Sequence, residues 1–109
     1  MPDALKILGQ SSGSTGSNVD IYTVPALTSA TVSTITVCNR GNTSTSFRVS
    51  VALGGEVDAT KQYIYYDVPI DAYETFATTI GITLATSDII RGYAANANLS
   101  FNIFGIEVT

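Results

Sequence analysis

A 109-residue chain with a net charge of −4 and a pI near 4.3 reads as one domain, without the basic surface that nucleic-acid phosphates require. It has no His, one Cys and 13% charged residues against 45% hydrophobic ones, which removes most of the usual proton shuttles, metal ligands and activated nucleophiles. Fifteen Thr and eleven Ser fill much of the remainder; with Val, Ile, Tyr and Phe they suit a pleated, half-buried surface.

Residues 4–9, Ala-Leu-Lys-Ile-Leu-Gly, form a short apolar arm. Gln10 to Asn18 is almost pure Ser, Gly and Thr, a flexible connector. The chain therefore divides into an arm and connector, residues 1–17, and a body, residues 18–109. Leu5, Ile7 and Leu8 are the arm's apolar anchors, either as an edge strand on the same domain or as a reach to a neighbouring chain. The start of the chain lacks the basic and apolar pattern of a signal peptide. No stretch approaches the roughly 18 apolar residues of a membrane span. A soluble protein with no membrane partner is expected.

From residue 19 the pattern is one of short strands with turn punctuation. Val19 to Val24 ends at Pro25. In Ala30 to Asn39, alternation puts Ser33, Ile35 and Val37 on one face and Val32, Thr34 and Thr36 on the other. Arg40-Gly41-Asn42 is a turn, after which Phe47, Val49, Val51 and Leu53 alternate with Arg48, Ser50 and Ala52. Gly54-Gly55 closes that strand. Gln62 to Val68 ends at Pro69, and Glu74 to Ile80 follows. Ile89 to Ala95 and Leu99 to Val108 complete the set, the last with Leu99, Phe101 and Ile103 on one face and Phe104, Ile106 and Val108 on the other. Tyr22-Thr23-Val24-Pro25 is echoed by Tyr66-Asp67-Val68-Pro69, which predicts the same corner used twice, because proline ends ladder pairing. The expected fold is an all-β antiparallel sandwich of seven strands, eight with the arm, with a jelly roll as one version.

A single Cys cannot form an internal bridge, which fits synthesis in a reducing cytosol. Cys38 reads as a small buried hydrophobe, with a reactive thiol as the alternative. The densest aromatic group is Tyr63, Tyr65 and Tyr66, followed by Asp67; alternation places Tyr63 and Tyr65 together and Tyr66 opposite. Core packing, a protein interface and a glycan site all suit such residues. Arg40, Arg48 and Arg91 lie in or beside strands, with Asp67, Asp71, Glu74 and Asp88 as counter-charges; they serve either an interface or a solvated face. The carboxylates do not match a calcium loop, and no catalytic residue, metal site or cofactor motif is assigned.

Four segments taken together resemble a family. They are Ile21-Tyr22-Thr23-Val24-Pro25-Ala26, Val32-Ser33-Thr34-Ile35-Thr36-Val37-Cys38-Asn39-Arg40, Tyr63-Ile64-Tyr65-Tyr66-Asp67-Val68-Pro69-Ile70 and Phe101-Asn102-Ile103-Phe104-Gly105-Ile106-Glu107. With the Leu8-Gly9-Gln10 start, the chain is similar to small virion structural proteins of tailed bacteriophages, often met in phages of cyanobacteria. The resemblance implies a β-rich, non-enzymatic particle component assembled in the host cytoplasm. A capsid decoration (cement) protein bound to the major capsid protein is the favoured form. A tail, neck or fibre-attachment protein and a glycan- or receptor-binding module are the alternatives. A mean hydropathy of +0.27 with few charges predicts a homo-oligomer, with a trimer suited to the local three-fold axes of a shell.

Overall fold

The computed structural model describes residues 3–109. They form eight strands: β1 (Asp3–Ser11), β2 (Asn18–Thr23), β3 (Ser29–Asn39), β4 (Thr45–Ala52), β5 (Tyr63–Ile70), β6 (Thr75–Leu84), β7 (Ile89–Ala94) and β8 (Leu99–Val108). Two four-stranded sheets run in the orders β1-β8-β3-β6 and β2-β7-β4-β5, with every neighbour antiparallel. The pairs β1·β8, β2·β7, β3·β6 and β4·β5 nest inside one another. The chain is thus one long hairpin with its tip between β4 and β5, rolled until β8 meets β3 and β7 meets β4. That winding is a jelly roll.

The core lies between the sheets. Val32, Ile35 and Val37 of β3 meet Phe47 and Val49 of β4, and Leu99, Phe101 and Ile103 of β8 meet Ile90 and Ala94 of β7. Period-two alternation puts these side chains inside, and burying each Val, Ile, Leu or Phe contributes about 1.5–3 kcal/mol. Simple alternation fails in β3, because Ser33 is an extra residue between Val32 and Thr34 relative to β8. The bulge lets Val32 and Ile35 both face inward and turns Ser33 out, where its hydroxyl donates to the Phe104 carbonyl at 3.2 Å. Leu53 also departs from expectation: β4 ends at Ala52, and Leu53 starts a single 3₁₀ turn on the surface. Cys38 is half-buried on the outer face of the first sheet, opposite Ser100.

Both Val-Pro corners carry the chain from the second sheet to the first, Val24-Pro25 from β2 to β3 and Val68-Pro69 from β5 to β6. Pro69 sits inside β5, which is tolerable because β5 is an edge strand. Each end of the sandwich has a buried polar tie. At one, Asn39 donates to the carbonyls of Thr43, Ile70 and Asp71 and accepts from the Gly41 N–H. At the other, the Asp88 carboxylate accepts from the N–H groups of Gly54 and Ala85.

Of the two readings of the arm, the edge strand on its own domain is the one that forms. Residues 3–11 pair with β8 from Asp3↔Val108 to Ser11↔Phe101, so the arm is a strand of the sandwich; Met1 and Pro2 lie outside the described residues. The connector is a pinned turn, not a loose leash. Thr15 bridges Ala94, the Gly16 N–H donates to the Ala94 carbonyl at 2.9 Å, and Gly13 and Gly16 supply φ of +72° and +74°.

Candidate interaction surfaces

The outer face of the second sheet carries a grid of aromatic and charged residues. One row across the sheet runs Asn18 of β2, Tyr93 of β7 and Arg48 of β4; the next runs Asp20, Arg91, Ser50 and Tyr63. The Arg48 guanidinium lies over the Tyr66 ring at 4.1 Å and the Tyr93 ring at 4.3 Å, and its Nε donates to Asp67 at 2.6 Å. The Asp67 hydrogen bond holds Arg48 even more firmly protonated than a free guanidinium, against the opposing pull of desolvation. Arg91 donates to Asp20 at 2.9 Å, to Asp58 at 3.0 Å and to the Glu56 carbonyl at 2.8 Å. It thereby fastens the β4–β5 connection to the sheet and to edge strand β2.

Two bulges in β5 build this grid. Ser50 pairs with Tyr63 and Val49 with Tyr65, leaving Ile64 as an extra residue. Beyond it, Tyr66 and Asp67 together oppose Arg48, with Asp67 at φ +49°; Asp tolerates that left-handed conformation better than most residues. Consequently Tyr63 and Tyr66 share the outer face, their rings edge to face at 5.0 Å. Tyr65 points inward, its ring 5.3 Å from Phe76 and its hydroxyl donating to Thr78 Oγ1 at 3.2 Å. The expected pairing of Tyr63 with Tyr65 is therefore corrected, and Tyr66 takes the place of Tyr65 on the surface. Beneath the grid, Asn18 Nδ2 donates to the Tyr63 hydroxyl at 3.1 Å, while Asn18 Oδ1 and Ser50 Oγ are buried without partners.

The outer face of the first sheet is different. Leu5 pairs directly with Ile106 and Ile7 with Phe104, and Val108 lies opposite Asp3. Leu5 is 81% exposed and Ile7 51%, whereas Leu8, the extra residue of a bulge, turns inward and is 8% exposed. The three anchors of the arm thus divide: Leu8 fixes the strand, and Leu5 and Ile7 join Phe104, Ile106 and Val108 in an apolar ribbon facing out. On the inner side of the same strands Lys6 Nζ donates to Glu107 Oε1 at 2.9 Å, and the Tyr22 hydroxyl donates to Glu107 Oε2 at 2.6 Å. Those two bonds, the one from Tyr22 first, hold the Glu107 carboxyl below its usual range. Burial, with the Glu107 hydrogen bond and charge, pushes the Tyr22 hydroxyl above its usual value.

Of the residues singled out in the sequence, Arg48, Tyr63, Asp67 and Arg91 come together on the second sheet, and Leu5 and Ile7 on the first. Arg40 lies apart at the end of β3, exposed, donating to the Ala97 carbonyl at 3.1 Å. Arg48 and Arg91 staple strands and a connection of the same chain at its surface. Sequence reasoning missed Tyr66, Tyr93 and Asn18 as members of the grid. Alternation about Gly92 carried a signal for Tyr93, since it puts Arg91 and Tyr93 on one face.

Among the described residues, no group of three His, Cys, Asp or Glu could hold a metal ion. A shallow depression lined by Gln10, Ser11, Ser12, Ser100, Phe101 and Asn102 is open to solvent. No helix among the described residues is long and apolar enough to cross a membrane. The chain matches no protein-family model, and comparison with curated proteins finds no match.

Proposed function

We propose that this protein is a non-enzymatic structural component of a phage virion, a decoration protein that binds the major capsid protein and stabilises the head shell as a homo-oligomer. The observation that carries this reading is the outward-facing apolar ribbon of the first sheet, in which the exposed Leu5 and Ile7 lie against the half-buried Phe104, Ile106 and Val108. Contiguous exposed apolar side chains on a small domain mark a contact surface. Because Leu8 and the β8 ladder fix the strand, the ribbon is pre-organised, and binding does not have to order a free arm. Cross-strand pairing keeps Leu5 and Ile7 beside Ile106 and Phe104, so the four act as one patch. Many copies on one shell multiply a modest contact. The jelly-roll winding and the resemblance of the sequence support the same reading.

The test is co-sedimentation of purified protein with expanded heads that lack it, and separately with tails. Binding to heads that Leu5→Ser with Ile7→Ser weakens roughly tenfold or more, as expected when apolar anchors are lost, supports the reading. Binding to tails alone moves the protein to the tail or neck. A protein that ignores both and is retained on immobilised glycans is a receptor-binding module, with the Tyr63–Tyr66 grid as its stacking surface.

A further inference from the structure

The four edge strands of the sandwich are not finished alike. Strand β1 carries Asp3, Lys6 and the bulge at Leu8; β2 carries Asp20 and a bulge at Ile21; β5 carries Asp67, Pro69 and two bulges. Charge, proline and bulges are the devices that keep sheet edges from pairing with other chains. Strand β6, Thr-Phe-Ala-Thr-Thr-Ile-Gly-Ile-Thr-Leu, has ten residues with no charge and no proline. Its one irregularity, Ile80 and Gly81 opposite Ser33, leaves the in–out alternation intact along its whole length.

The apolar interior is also incomplete at that edge. Tyr65 and Val68 of β5 and Phe76, Ile80 and Ile82 of β6 pack on the core yet stay half-buried. At the opposite edge Leu8, Ile21 and Tyr22 are buried. The side of the sandwich that offers an open ladder is therefore the side where inward-facing apolar residues stay partly uncovered.

The β6 edge is also complementary to itself. In an antiparallel pair centred on Thr79, the outward residues meet as Thr79 with Thr79, Ala77 with Gly81 and Thr75 with Thr83. The inward ones meet as Phe76 with Ile82 and Thr78 with Ile80. All are uncharged, and all but Ala77 with Gly81 contain a β-branched residue, the sort of cross-strand pair that stabilises a ladder. Glu74, just before β6, falls opposite Leu84 of the other copy. The two Glu74 carboxylates then sit about 34 Å apart at 3.4 Å per residue, several Debye lengths, so salt screens their repulsion. We propose that two copies of this chain pair antiparallel along β6, joining their first sheets into one eight-stranded sheet. The assembly unit is then a twofold dimer, in place of the trimer that shell symmetry suggests. The pairing does not depend on the virion reading: a dimer that ignores heads leaves it standing.

Two measurements test it on the full chain. Light scattering on wild type should return twice the 11.4 kDa chain mass. Thr79→Lys sets two ammonium groups face to face at an exposed position and should weaken dimerisation roughly tenfold or more, with an unchanged far-UV spectrum. Separately, Thr79→Cys in a Cys38→Ser background places directly opposed Cβ atoms about 4.5–5.5 Å apart, within a small movement of a disulfide. Mild oxidation should link it into dimers far faster than Ala26→Cys in the same background. A wild-type monomer at millimolar concentration, a trimer mass, or cross-linking at Thr79→Cys no faster than at Ala26→Cys overturns the proposal. So does a folded Thr79→Lys variant that dimerises as well as wild type; should that variant not fold, the cross-linking rate decides.

Discussion

The sandwich has two long sides, and they are closed by different chemistry. Along β1 and β2 the strands approach closely: a Cβ on Gly9 would run into the Ile21 carbonyl. Leu8 fills the interior there, and Glu107 collects Lys6 and Tyr22 across strands. Along β5 and β6 the rings of Phe76 and Tyr65 lean together, with a hydrogen bond from Tyr65 to Thr78 as the polar link. The difference teaches how a small sandwich divides its apolar residues. One side commits its inward-facing ones to its own stability; the other leaves them half-covered, at the edge with the least protection against a second chain.

Removing residues 3–11 should produce the largest effect that separates the sides. It strips β8 of a ladder, uncovers Leu8's site and leaves Glu107 without Lys6. A loss of this kind rivals the whole stability of a small domain, about 5–15 kcal/mol. Thermal denaturation followed by near-UV circular dichroism should show no cooperative transition. A truncated protein that melts like the full chain would make β1 a dispensable arm after all.

Single substitutions refine the contrast. Leu8→Ala should cost about 3 kcal/mol, as for a buried leucine whose site cannot fully collapse. Ile82→Ala, half-buried on β6, should cost about 1 kcal/mol in dilute solution. If β6 pairs with a second copy, the Ile82→Ala penalty grows with protein concentration while that of Leu8→Ala does not. Urea melts at two concentrations distinguish the outcomes.

The sealed side should also respond to pH. Glu107 titrates lower in the folded protein than in the unfolded chain, so its contribution is complete above the ordinary carboxyl value of 4.5 and is lost as pH falls through its lowered value. Tyr22 titrates higher when folded, so its contribution is complete below the ordinary value of 10.0 and is lost as pH rises beyond it. Stability should form a plateau between these limits. Tyr22→Phe removes a hydrogen bond to a charged acceptor and should cost about 2 kcal/mol on the plateau. The difference from wild type should narrow under acid, once Glu107 is protonated. A difference that stays constant down to pH 2 would mean the Tyr22–Glu107 bond contributes nothing specific.

Much of the strand pattern was legible because period-two alternation is read directly from sequence. The two Val-Pro corners were legible too, since proline cannot extend a ladder. What alternation cannot carry is a bulge. One extra residue at Ser33, Leu8 or Ile64 reverses every side chain beyond it, and no local composition marks those three positions. That is why alternation sets Val32 on the face opposite Ile35 and Val37, Tyr65 on the same face as Tyr63, and the arm as three equivalent anchors. The ties from Arg91 to Asp20 and Asp58 join residues far apart in the chain, so only the folded sheet order brings them together.

The smallest effect is expected on the open side, and its size decides whether the contrast holds. Tyr65→Phe removes a hydroxyl whose partner is a neutral, half-buried Thr78. The freed Thr78 hydroxyl can turn toward solvent, so no buried donor is stranded, and the ring contact with Phe76 remains. A net loss of about 0.5 kcal/mol follows for such a bond, well under the roughly 2 kcal/mol expected for Tyr22→Phe at a charged and buried acceptor. Paired urea melts of the two Tyr→Phe variants at neutral pH measure the ratio directly. Equal penalties would mean that β5 and β6 are closed as firmly as β1 and β2, and the open edge would lose its claim to a partner.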